Sequence, residues 1–203
     1  MRVWTSVVGL AALLGGCGSA PAAQAPVRPG QAVAVFAGGC FWCTESDFDK
    51  VPGVLSTTSG YTGGKLANPT YEQVSAGNTG HIEAVRVVFD SRRVSYAALA
   101  DHFFRTVDPL DAGGQFCDRG YQYRSALFVT GEQRAAGQAA KTRAAAKLGK
   151  PVATLLLPAA PFYPAEGYHQ DYYKKNAVKY RFYRWNCGRD ARLKQVWGAA
   201  AGH

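Results

Sequence analysis

Apolar positions along this chain follow two periods, and the switches between them mark out the elements. Ala32-Val33-Ala34-Val35-Phe36-Ala37 is a continuous apolar run ended by Gly38-Gly39, the pattern of a short strand buried on both faces. From Cys40 to about Val51 the spacing lengthens: Phe41, Thr44, Phe48 and Val51 share one face of a helix that Pro52-Gly53 stops. Val54 to Tyr61, rich in Val and Thr, predicts a second strand before the Gly63-Gly64 loop, and Ala84 to Phe89 a third. Ser95 is placed to cap a helix through about Arg105, with Tyr96, Leu99, Phe103 and Phe104 as its apolar side. Arg124 to Val129 predicts another strand, residues 130–149 a long Ala-rich helix, and Val152 to Leu157 a last strand; a helix-like stretch ends near Trp197. No internal repeat is visible. Helices and strands intermingle, so the expected class is α+β, a two-layer α/β sandwich around a mixed sheet.

Composition narrows the function. With 203 residues, 47% hydrophobic and 12% aromatic, the chain is neither disordered nor low in complexity, and its length suits one domain whose core stands without disulfide staples. The net charge of +9 is spread along the chain, without a nucleic-acid motif, so no nucleic-acid partner is expected. No phosphate-cradling or dinucleotide fingerprint occurs either.

The first residues read as an address. Arg2 precedes a mostly apolar run from Val3 to Leu14, too short to span a bilayer but suited to an export signal. It ends in Leu14-Gly15-Gly16-Cys17, which resembles the bacterial lipobox, whose Cys is acylated and becomes the first mature residue. Residues 1–16 are therefore expected to be a lipoprotein signal peptide, 17–31 (Ala-, Pro- and Gly-rich) a flexible tether, and 32–203 the folded domain. This implies the periplasm or cell envelope, with the protein lipid-anchored to a membrane.

Gly38-Gly39-Cys40-Phe41-Trp42-Cys43 carries the sharpest chemistry. The glycines free the turn, and the helix that follows points unsatisfied N–H groups and its positive end at Cys40. Both favour thiolate, so Cys40 is expected to be a nucleophile active at neutral pH, with Cys43 one helical turn on and within disulfide reach. A zinc site would take Cys40, Cys43, Cys117 and Cys187, but no second Cys-x-x-Cys supports it, and no metal is expected. A thioredoxin-like redox pair fits the spacing, though not the aromatic residues between the cysteines. A buried structural thiol is the blandest choice, and the exported location, where idle thiols oxidise, weighs against it.

Gly39-Cys40-Phe41-Trp42 with Glu45, then Ser59-Gly60-Tyr61-Thr62-Gly63-Gly64, Asn68-Pro69-Thr70-Tyr71, Gly80-His81-Ile82-Glu83-Ala84-Val85 and Gln122-Tyr123-Arg124-Ser125, resemble the A-type peptide methionine sulfoxide reductases. The matches keep the family's order from about Val33 to Asn176 and include Pro161-Phe162-Tyr163 and His169-Gln170. The resemblance implies a ferredoxin-like sandwich and a reduction of methionine S-sulfoxide, in proteins or free, in which Cys40 attacks sulfur and passes through a sulfenic acid and then a disulfide. It implies that Glu83 is the acid, neutral through burial, that Tyr71 and Tyr123 bond the sulfoxide oxygen, that Asp118 lies near the substrate, and that Phe41 and Trp42 receive the methyl group. His81 is expected to support the turn before Glu83, His169 to be structural or at the rim, and Glu45 stays unassigned, as a cap or an ion-pair partner. Tyr61, Phe103, Phe104, Phe162 and Tyr163 are taken as core.

The chain departs from the family pattern in three places. It lacks a Gly-rich C-terminal tail with resolving cysteines, has Phe116-Cys117 where Gly-Asn commonly precedes the active-site Asp, and has Val107 where a His often precedes Asp-Pro. Cys43, Cys117 and Cys187 are thus all candidate resolving or relay thiols, with Cys117 able to reach Cys40 or to pair with Cys187. Electrons come from an external dithiol, thioredoxin-like or other; no cofactor is implied, and a monomer is expected. Two other functions stand beside this one: an exported thiol–disulfide oxidoreductase using Cys40 and Cys43, and an envelope lipoprotein that binds methionyl peptides without turnover.

Overall fold

The computed structural model describes residues 27–202. The expected signal peptide, the expected acylation site Cys17 and most of the expected tether lie outside the described residues. At the tether's end the Gln31 N–H closes a turn on the Arg28 carbonyl, and Gln31, read as tether, is already the first residue of a strand.

The elements run β1 (Gln31–Gly38), α1 (Phe41–Phe48), β2 (Val54–Thr62), α2 (Tyr71–Ser75), β3 (Ile82–Asp90), α3 (Tyr96–Arg105), the short hairpin β4 (Gly114–Gln115) and β5 (Asp118–Arg119), β6 (Ser125–Val129), α4 (Gly131–Leu148), β7 (Leu155–Pro158), β8 (Phe162–Pro164), α5 (Tyr172–Lys175), α6 (Ala177–Asn186) and α7 (Arg189–Trp197). The main sheet has the order β7-β6-β1-β3-β2-β8. Its inner strands β6, β1, β3 and β2 are mutually antiparallel, and α1 and α3 link β1 to β2 and β3 to β6. That is a ferredoxin-like core. α4 then crosses to β7, which pairs in parallel with β6 and makes the sheet mixed.

Strand alternation divides the apolar residues between two faces. Phe36, Val85, Val87 and Leu127 meet Phe48, Leu99 and Phe103 in the larger core, where Phe36 stacks on Phe48 at 4.6 Å and on Phe103 at 5.3 Å. Each such buried ring contributes on the order of 2 kcal/mol through the water it sheds. Ala37, Ile82, Ala84, Ala126 and Phe128 form a smaller cluster on the opposite face. β1 is thus covered on both sides, as its unbroken apolar run implies.

Local signals explain several boundaries. Ser95 Oγ accepts the Ala98 N–H, Thr70 and Thr130 each close a reciprocal cap with the Gln three residues on, and Gly149 ends α4 in the left-handed conformation. Two expectations shift: α1 stops at Phe48 rather than Val51, and the last predicted strand begins at Leu155 rather than Val152. α1 is also buried nearly all round, Glu45, Ser46 and Asp47 included, because the C-terminal helices cover the side that faces away from the sheet.

Candidate active site

Gly38-Gly39 turns β1 into α1 and sets Cys40 at the helix N-cap. Gly39 has φ +80°, and a Cβ there would stand 2.6 Å from Gln115 Cβ. Gln115 does not give way easily: its amide donates to the carbonyls of Asp108 and Gly114 and accepts the Asp108 N–H. Glycine is required there both for the backbone angle and for the approach.

Glu83 reaches the same turn from β3. Its side chain is 2% exposed, and Oε2 accepts the Phe41 N–H, one of the free donors of the first helical turn, at 3.0 Å. Burial, reinforced by the charge of Asp118, pushes this carboxyl up to about 8 despite that hydrogen bond. At that value the Glu83 carboxyl carries its proton at pH 7. Tyr71, at the start of α2, and Tyr123, in a 3₁₀ turn before β6, hydrogen-bond to each other; burial and Glu83 raise both phenols.

Cys40 departs from its expected ionisation. Its thiol is pushed well above the ordinary value, first by burial and then by its hydrogen bond to Cys43, with Glu83 and Asp118 adding to the shift. The helix N-terminus does not overcome the loss of water around the sulfur. The Cys43 thiol goes the other way, lowered by the bond to Cys40 and by the guanidinium groups of Arg189 and Arg184. Cys117 and Cys187 are joined to each other as a disulfide, so of the two expected pairings of Cys117 the one with Cys187 is present, and neither sulfur is a thiolate ligand for a metal.

The remaining expected residues converge here. Asp118 follows Cys117 on β5, is raised by burial, and accepts the Tyr183 hydroxyl at 2.5 Å; Tyr183 also hydrogen-bonds the Cys40 side chain. Phe41 packs beside Tyr61 and His169. The Trp42 indole N–H donates to His169 Nδ1 at 3.1 Å, while its ring stacks on Tyr172 at 3.8 Å. His169 is thereby structural, a buried acceptor that orients Trp42. His81 holds the Gly63-Gly64 loop, accepting the Gly64 N–H at Nδ1 and bonding the Leu66 carbonyl through Nε2.

The family model for peptide methionine sulfoxide reductase matches residues 32–201. The chain belongs to that family. A Caulobacter vibrioides protein, Peptide methionine sulfoxide reductase MsrA 2, is 54% identical over 181 residues, covering 89% of this chain and 91% of its own. A Rhizobium meliloti protein of the same name is 55% identical over 169 residues, 83% of this chain and 84% of its own. Among solved structures, reduced Mxr1 of Saccharomyces cerevisiae superposes with a TM-score of 0.71 at 31% identity, covering 75% of this chain and 90% of that one.

Four further side chains build the site in this family member. Tyr183 comes from α6. Glu166 accepts both the Tyr61 hydroxyl and the Tyr71 N–H at 2.8 Å, fixing the start of α2. Glu45, unassigned from the sequence, accepts the Asp171 N–H and so ties the segment carrying His169 to α1; burial and the nearby Asp171 and Asp49 raise it to about 7. Arg189 is buried at 2% exposure, donating to the carbonyls of Gly38 and Thr106, and its guanidinium lies 4.5 Å from the Phe116 ring. Of these, Glu45 belongs to the motif around Cys40; the others lie where the sequence offers no paired signal.

Proposed function

We propose that this reductase acts on the S epimer of methionine sulfoxide, in proteins or free, with Cys40 as nucleophile and Glu83 as acid. The observation that carries this is the shared turn: one helix N-terminus holds the Cys40 sulfur and, through the Phe41 N–H, a carboxyl that is uncharged at pH 7. Tyr71 and Tyr123 offer hydroxyls to the substrate oxygen, and the Phe41–Trp42 wall takes the methyl group. Apolar wall and donors stand on different sides of the substrate sulfur, which selects its handedness.

Glu83 gives its proton to the sulfoxide oxygen as Cys40 attacks sulfur, and the carboxylate so formed takes up the proton of the Cys40 thiol. The oxygen passes to Cys40 as a sulfenic acid, and the substrate departs as the sulfide. The Cys40 thiol, raised by burial, needs this local base, so the two buried groups complete the step as a pair. Cys43 then condenses with the sulfenic acid, releasing water and leaving a Cys40–Cys43 disulfide. Its hydrogen bond to Cys40 and the cations below it suit it to that role. The Cys117/Cys187 pair, when reduced, returns two electrons to Cys40–Cys43 by thiol–disulfide exchange and is itself reduced by an external dithiol. Yeast Mxr1 has been solved in complex with Trx2, and a dithiol protein of thioredoxin type is the reductant proposed here.

The test is turnover of a racemic methyl sulfoxide with dithiothreitol. Consumption of the S epimer alone, abolished by Cys40→Ser, is the expected result. Insulin reduction without sulfoxide turnover, or equal consumption of both epimers, overturns the assignment.

We further infer that Leu14-Gly15-Gly16-Cys17 directs acylation of Cys17, and that the enzyme works as a monomer in the periplasm or envelope on a lipid anchor. Loss of radiolabelled fatty acid and release from the membrane fraction in Cys17→Ser is the expected result; retention of both refutes it.

A further inference from the structure

One buried atom of the aromatic wall has no hydrogen-bond partner. The His169 ring is enclosed by Phe41, Trp42, Tyr71 and Tyr168, with centroids 4.9, 5.7, 4.6 and 4.2 Å away. Burial lowers its pKa, outweighing the raising influence of Glu166 and Glu72, so the ring is neutral at pH 7. Nδ1 accepts the Trp42 indole N–H, and a neutral ring that accepts there carries its proton on Nε2. Nε2 nonetheless makes no hydrogen bond. Facing it at 4.0 Å is Glu166 Oε2, too distant for a hydrogen bond but near enough for a carboxylate to favour an N–H over a lone pair at that position.

The same carboxylate holds the other wall. Oε1 accepts the Tyr71 N–H where α2 begins, and Oε2 accepts the Tyr61 hydroxyl. Burial works to raise Glu166, but its hydrogen bonds, those from Tyr71 and Tyr61 among them, bring it below the ordinary value, so it is charged at pH 7. Glu166 therefore touches Tyr71 directly and Trp42 through His169. Stacking on Tyr172 leaves the indole free to slide in its own plane, and the bond to Nδ1 removes that freedom.

We propose that Glu166 is a positioning residue that sets substrate specificity: it anchors Tyr71 and keeps His169 in the Nε2–H tautomer that holds Trp42, and so fixes a slot that favours a methyl group on the sulfoxide sulfur over a longer chain. The proposal rests on the reading above that Phe41 and Trp42 receive the methyl group.

The experiment uses the full-length enzyme and its Glu166→Gln and His169→Gln variants, singly and combined. In Glu166→Gln the Tyr71 N–H can only donate, whereas the Tyr61 hydroxyl can turn to accept, so the amide oxygen goes to Tyr71 and the NH₂ group faces His169. A donor there favours a lone pair on Nε2 and sets Nδ1–H against the Trp42 N–H. Nitrogen-15 NMR, with the His169 signals identified by their loss in His169→Gln, is expected to show Nε2–H in wild type and a shift towards Nδ1–H in Glu166→Gln. The ratio of kcat/KM for methyl over ethyl p-tolyl sulfoxide, measured with dithiothreitol, is expected to fall about tenfold in Glu166→Gln, the usual worth of one methylene in a fitted pocket. His169→Gln offers Trp42 an amide oxygen that no tautomer can remove, so in that background Glu166→Gln is expected to lower the ratio by less. A wild-type His169 with its proton on Nδ1, or a tautomer that Glu166→Gln leaves in place, overturns the proposal. So does a lowered urea midpoint in Glu166→Gln with the methyl preference intact, which makes Glu166 a purely structural residue and leaves the methyl-wall reading standing. Equal use of the two sulfoxides by wild type overturns that reading and the role of Glu166 with it.

Discussion

Replacing Glu83 with Gln tests the neutral carboxyl through stability and catalysis at once. Gln keeps the shape and can still accept the Phe41 N–H, but it neither ionises nor donates an acidic proton. The carboxyl titrates at about 8 in the folded protein against 4.5 ordinarily. Between those values the unfolded chain binds fewer protons than the native one, so wild-type stability attributable to this group is full below about 4.5 and declines as pH rises through 8. The gap amounts to about 5 kcal/mol above pH 8 and about 3 kcal/mol at pH 7. Gln escapes this decline. Urea unfolding at a series of pH values is therefore expected to show the variant gaining on wild type by roughly 1.4 kcal/mol per pH unit across that window. Turnover moves the opposite way: at pH 6–7 the variant loses about 10²- to 10⁴-fold in kcat, the usual worth of a positioned acid. Above pH 8 the wild type ionises Glu83 and converges on the variant. Parallel stability profiles, or a rate deficit that persists undiminished above pH 8, would refute the argument.

Fully reduced enzyme given excess sulfoxide and no reductant is expected to release about two methionines per chain, one for each thiol pair, and the Cys117→Ser/Cys187→Ser double variant about one; rapid quench with chromatography reads the difference. Gly39→Ala places a methyl on Gln115 at a left-handed backbone position, so a stability loss of about 1–3 kcal/mol and a fall in kcat larger than any change in KM are expected from urea titration and steady-state kinetics. Arg189→Met removes two carbonyl partners and one of the two cations facing the fully buried Asp47, and a loss of about 3–5 kcal/mol is expected in the same titration.

The sandwich was legible because its strands alternate or run apolar and its helices carry caps; Ser95, Thr130 and Gly149 act as the residue types imply. The site was legible where chemistry sits in short motifs: Cys40, Glu83, Tyr71, Tyr123 and Asp118 come together around one turn. Two things escaped. The Cys40 ionisation depends on burial, which is set by segments far away in the chain, whereas the helix end is a local feature. Residues beyond Asn176 are also hard to place from sequence, because α6 exposes its apolar side and buries Tyr180 and Arg184, the reverse of the pattern by which a helix is found. The pairing of Cys117 with Cys187, across 70 positions of sequence, is one of the two the sequence allows, and the fold of that segment selects it.

Arg189 has a consequence for how current moves through the enzyme. A guanidinium locked to the carbonyls of Gly38 and Thr106 bolts the last helix beneath the floor on which Cys40 stands. The chain just behind Cys187 is therefore anchored, and that sulfur sits at a fastened helix end rather than on a long free arm. Exchange needs sulfur to touch sulfur, so the rearrangement that joins the two pairs has little slack to draw on, and the donor has to make the journey to the outer terminal.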